Sequence, residues 1–111
     1  MDKEINTAIN QYISSIINQN IGLTKAYLFG SFAKNNERDE SDIDIALVLD
    51  NLNDADKFDV QVQLLLLASK FDNRIEPHVI SNKDFLPENP FANEIIKTGI
   101  EITFGKSNQS L

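Results

Sequence analysis

Four residues in the middle of this 111-residue chain, Ser41-Asp42-Ile43-Asp44, carry its strongest chemical signal. Residues two apart on a strand project from one face, with Cα atoms roughly 6.5–7 Å apart. Two carboxylates so placed repel one another unless something positive lies between them. A divalent cation, or two of them about 3.5–4 Å apart, meets that need. A solvent-facing edge strand with two isolated acids is the plain alternative. Against it stands the composition of the run. Ile43, Ile45, Leu47 and Leu49 fill one face, and Ala46 and Val48 continue the face that Asp42 and Asp44 begin. A strand apolar on both sides but acidic at one end reads as a site.

Two further groups bear on it. Gly30-Ser31 stands where an apolar run ends and a short helical turn over 31–34 is expected. Glycine there lets the backbone approach a phosphate closely, the N–H groups that follow point outward, and the Ser31 hydroxyl adds a hydrogen bond. By itself a Gly-Ser pair after a strand is more often an ordinary turn. A third acid would complete a metal cradle, and Glu76, within Arg74-Ile75-Glu76-Pro77-His78, is the candidate. A surface glutamate paired with Arg74 or His78 is the competing reading. His78, the only histidine, shares the Glu76 face and could orient a phosphate or tune Glu76, but a lone strand histidine is more often structural.

The elements that must position these groups are legible in the periodicity. Ile5, Ala8, Ile9, Tyr12, Ile13, Ile16 and Ile17 recur at helical spacing, and Asn20-Ile21-Gly22 stops them. Lys25 to Phe29 reads as a buried strand, Lys34 to Ser41 as a polar loop, and 42–49 as a second strand. Asn53 or Asp54 caps a helix running to about Phe71, with Phe58, Val62, Leu65, Leu66 and Ser69 expected on its inner face. Arg74 to Ile80 is a third strand, whose Pro77 belongs at an edge or with its nitrogen turned away from a partner. Asn89-Pro90 opens a last helix that Gly99 ends, and Ile100 to Phe104 alternates as a short final strand. The expected fold is α/β (α+β): a small mixed sheet with helices packed on it. One domain spans 1–105, and a polar, frayed tail follows over 106–111.

Composition bounds the function. The net charge of −7 opposes a protein that grips long nucleic acid through its phosphates. It leaves room for a basic protein partner and suits a divalent-metal site. Without cysteine there is no disulfide framework and no thiolate chemistry. No apolar run approaches the length of a membrane span, and the acidic N-terminus lacks a signal-peptide pattern, so a cytoplasmic protein is expected.

Together, Gly30-Ser31-Phe32-Ala33-Lys34, the polar loop and Ser41-Asp42-Ile43-Asp44-Ile45 resemble the signature of the nucleotidyltransferase superfamily related to DNA polymerase β. The size resembles its minimal nucleotidyltransferase branch. That resemblance implies a triphosphate held by Gly30 and Ser31, with Lys34 assisting, and two Mg²⁺ held by Asp42 and Asp44. A third acid that completes the cradle and orients or deprotonates the acceptor falls on Glu76. Lys34 and Asn35 depart from the Arg-Gly that often follows the turn. Lysine keeps the charge without the bidentate fork. The resemblance further implies ATP or another NTP as donor and a HEPN-type partner, a basic RNase toxin, as acceptor by AMP transfer. A non-catalytic antitoxin that captures such a partner is the alternative, and a small-molecule transferase completed by a partner or by a second copy is a third reading.

Overall fold

A strand covered on both faces needs a layer on each side, and the chain supplies them. The computed structural model describes residues 3–33 and 42–104; the expected 106–111 tail and the loop from Lys34 to Ser41 lie outside the described residues. Along the chain run α1 (Lys3–Asn18), β1 (Leu23–Phe29), β2 (Ile43–Leu49), α2 (Asp54–Ala68), β3 (Ile75–Ser81), a 3-10 turn (Asn82–Asp84), α3 (Pro90–Thr98) and β4 (Ile100–Glu101). The strands form one sheet in the order β3-β2-β1-β4. β1 pairs antiparallel with both β2 and β4, while β2 and β3 run parallel. The sheet is therefore mixed, as the pattern of elements predicts.

On one face Ile43, Ile45, Leu47 and Leu49 pack with Ile5, Ile9, Tyr12, Ile13 and Ile16 of α1 and with Leu64 and Ala68 of α2. On the other, Val48 and Ile80 meet Ala92 of α3, with Tyr27 and Phe85 alongside. Three layers result, with β2 at the centre. The α1 stripe is the one its periodicity predicts, and Asn20, at φ 58, breaks the helix. Asn89 caps α3 as expected, its side chain accepting from the Phe91 and Ala92 N–H groups. Gly99 ends that helix for lack of room: a β-carbon would sit 2.6 Å from the Ile95 carbonyl. β4 is shorter than the alternation over 100–104 suggests, although the Ile102 N–H still donates to the Ala26 carbonyl.

The inner face of α2 is not the expected one. Phe58 is 75% exposed and Leu66 65%, with Val62 and Leu65 also outside. The buried residues are Leu64 and Ala68, flanked by the half-buried Val60 and Leu67. The physical reason lies in the run Leu64-Leu65-Leu66-Leu67, which makes the last turn of the helix apolar around its circumference, so periodicity there cannot choose a side. Polar contacts choose it. The Tyr12 hydroxyl donates to the Leu64 carbonyl at 2.7 Å in the core, and burial raises the pKa of that phenol above its usual value. The helix stops at Ala68, and Phe71, three residues on, packs against Tyr12 at 6.2 Å between ring centroids. Among the described residues no helix is long and apolar enough to cross a membrane.

This orientation makes a sharp prediction for urea unfolding. Leu64→Ala should cost about 3 kcal/mol through the cavity it leaves. Phe58→Ser and Leu66→Ser should each change stability by no more than about 0.5 kcal/mol. The reverse ranking would contradict the packing.

Candidate functional site

Strand register assembles the site. Phe29 of β1 lies opposite Asp44 of β2, which lies opposite Glu76 of β3. Side chains in such a cross-strand row share a face. The next row is Tyr27, Ala46 and His78. Because Ala46 carries nothing beyond its β-carbon, the His78 ring has space to lean back to the first row. There its Nε2 meets the Asp44 Oδ1 at 3.0 Å. The ring is held laterally by aromatic neighbours, Phe29 at 5.0 Å and Phe91 of α3 at 6.0 Å between centroids.

Asp44, Glu76 and His78 each offer one ligand atom, all within 4.8 Å of one another. Two carboxylate oxygens and an imidazole nitrogen form a donor set for a divalent cation. Asp42 precedes β2, is exposed, and stands outside that trio, yet its carboxyl reaches Glu76. The Glu76 carboxyl is raised above its ordinary pKa of 4.5, first by loss of surrounding water and then by Asp42 and Asp44, with His78 opposing. Negative charge is thus crowded at the start of β2 and β3, the condition that a cation would relieve.

The Gly30 turn closes against this cluster. Gly30 adopts φ 75, and a β-carbon there would lie 2.5 Å from Asp44 Oδ2. Both the backbone conformation and the close approach demand glycine. One Asp44 oxygen therefore faces His78 and the other faces the turn. Ser31 is half-buried, and residues 31–33 continue as turns. Lys34, expected at this site, lies outside the described residues, as does Ser41.

The structure thus brings Gly30, Asp44 and Glu76 together and sets Asp42 at their border. His78 is the member that sequence reasoning set aside. The available signal was its spacing, two residues after Glu76 on one strand and hence on one face. Beside the cluster, beyond the β3 edge, an open cleft of 340 Å³ is lined by Lys57, Gln61, His78, Asp84, Asn89 and Phe91 among others.

The comparisons with known proteins bear on the family and the fold. The family model described as Polymerase beta, Nucleotidyltransferase matches residues 11–108. No curated protein matches the chain. Among solved structures, one assigned as a nucleotidyltransferase from Sulfolobus solfataricus superposes with a TM-score of 0.55 at 19% identity, covering 100% of this chain and 94% of that one. A toxin–antitoxin with AMP-PNP gives 0.57 at 22% identity over 88% of this chain and 75% of that one. A mutant of the toxin–antitoxin MntA-HpeT gives 0.58 at 19% identity over 89% and 75%. At such identities these likenesses establish the fold.

Three outcomes follow. A raised Glu76 pKa means that the folded chain binds that proton more tightly than the unfolded chain does, so stability falls as pH rises from the ordinary glutamate value through the raised one. Glu76→Gln should therefore gain melting temperature over wild type on going from about pH 4 to about pH 7. Millimolar Mg²⁺ should stabilise wild type near neutrality and should do so much less in Glu76→Gln. Gly30→Ala should lose about 1–2 kcal/mol for its left-handed backbone alone and should weaken Mg²⁺ stabilisation by displacing Asp44. Thermal melts across pH, with and without the ion, measure all three.

Proposed function

We infer the function of this chain from the premise that it belongs to the polymerase β nucleotidyltransferase family. It moves a nucleoside monophosphate, AMP from ATP, onto an acceptor hydroxyl carried by a partner protein. The observation that supports this best is the meeting of Asp44, Glu76 and His78 with the Gly30 turn, because phosphoryl-type transfer needs a cation cradle and a phosphate-approaching backbone at one place.

The residues present fit a hard divalent ion, Mg²⁺ in the family, with two ions as the count that the paired acids suggest. Bound there, the ion would neutralise the triphosphate and the charge developing on attacking and leaving oxygens. Asp44 and Glu76 would hold it, with Asp42 at the border. Gly30 and Ser31, with Lys34, bind the triphosphate and direct the pyrophosphate away from the acceptor. The acceptor oxygen attacks the α-phosphorus, the bond to pyrophosphate breaks, and Glu76 takes the hydroxyl proton. His78 keeps Asp44 oriented by its 3.0 Å contact. The cleft beyond β3, which His78 of the cluster lines, gives an acceptor side chain room beside the site.

The partner is proposed to be a HEPN-type toxin, of the basic RNase kind. The likeness to toxin–antitoxin structures, one of them holding AMP-PNP, supports an antitoxin role with ATP as donor in the cytoplasm. The exposed apolar face of α2 favours a second reading, in which the chain neutralises its partner by capture without transfer.

Labelled ATP and Mg²⁺ incubated with this protein and the product of the neighbouring reading frame distinguish the two. Transfer should label the partner and fall at least about 100-fold in Asp42→Ala/Asp44→Ala. Binding that survives the double substitution, with no label on the partner in wild type, would establish capture instead.

A further inference from the structure

Strand β3 lies at the edge of the sheet, so among the described residues its outer peptide groups have no neighbouring strand. An edge strand is laddered on one side only and leaves a row of peptide groups open on the other. Yet β3 carries both Glu76 and His78. Something must hold this strand where the cluster needs it, and one side chain of α2 is placed to do so.

The Gln61 Nε2 donates to the Pro77 carbonyl, and its Oε1 accepts the Val79 N–H at 3.0 Å. These two peptide groups flank His78. A carbonyl can only accept and an N–H can only donate, so the pair also fixes which way round the amide sits. The Gln61 amide takes the role that a residue on a further strand would play, bonding the edge on both sides of one position. Proline at 77 is compatible because its carbonyl is the group used, and its nitrogen, which cannot donate, points outward with it.

We infer that Gln61 is a positioning residue for the acidic cluster, pinning β3 so that Glu76 and His78 meet Asp44. Gln61 touches neither Asp44 nor Glu76 through any described hydrogen bond; it acts through the backbone that bears the ligands. The inference rests on the reading of Asp44, Glu76 and His78 as a cation site. It adds that the site's geometry is set from the α2 side, across the sheet edge. Groups that orient metal ligands commonly matter to affinity almost as much as the ligands themselves.

The test is a Mn²⁺ titration of the full chain, followed by electron paramagnetic resonance, with hydrogen exchange at the Val79 amide read in parallel. Gln61→Met, of similar size without the amide, should weaken Mn²⁺ binding about tenfold or more and should speed Val79 exchange. Gln61→Asn keeps the amide but is too short to span both peptide groups, and it should weaken binding similarly even if the Met variant folds poorly. Leu67→Ala removes packing from the same helix and serves as the control: its melting temperature should drop, with Mn²⁺ affinity within about twofold of wild type. Wild-type affinity in a folded Gln61→Asn or Gln61→Met protein would overturn the assignment, and so would equal weakening in Leu67→Ala. Failure of the wild-type chain to bind Mn²⁺ is a different result, removing the cation site itself and the role of Gln61 with it.

Discussion

The organising constraint is that β2 must be buried on both faces and still present a carboxylate at its first turn of pleat. From Ile45 to Leu49 its side chains are out of reach of water. That burial is supplied by α1 and α2 on one side and α3 on the other, and it fixes the strand rigidly. Asp44 sits just where the cover ends, with 24% of its side chain accessible. A carboxylate one residue further into the strand would be enclosed without water, at large desolvation cost. One residue earlier it would point to the opposite face, into the α1–α2 core. Position 44 is the place on this strand where an acid can be both anchored and open.

The neighbours of Asp44 follow from that anchoring. The antiparallel partner β1 delivers its C-terminal turn to the same row, and the parallel partner β3 delivers its N-terminal half. Mixed pairing is what allows this meeting. The end of β1 and the beginnings of β2 and β3 lie at one edge of the sheet, so a backbone turn and two acid-bearing strand starts converge without a long connection reaching across. The loss of surrounding water, and after it the neighbouring acids, that raise Glu76 are a cost to folding, accepted at one end of the sheet.

Much of this was legible in the sequence, for reasons that differ by element. The α1 stripe is narrow and polar on its far side, so its buried face could be read directly. Asn89-Pro90 and Asn20 are local signals, and local signals survive tertiary context. Asp42 and Asp44 stood out because they sit at the start of an otherwise apolar run. The face of α2 was not legible, since four consecutive leucines obey every helical period at once. Nor was the pairing of His78 with Asp44, which depends on strand order and on the small side chain at 46, neither of which periodicity records. Glu76 came from resemblance and from its place on a following strand, and the register puts it opposite Asp44.

The ambiguous helix carries a wider lesson. A helical turn that is greasy all round, as the last turn of α2 is, gains nearly the same transfer free energy whichever way it rolls, so the hydrophobic effect supplies adhesion there without supplying an azimuth. Two directional contacts, the phenol of Tyr12 on the Leu64 carbonyl and the carboxamide of Gln61 on the β3 backbone, distinguish one rotation from the rest. Discrimination among alternative packings is thereby delegated to a few polar atoms, while the leucines serve as an undirected adhesive.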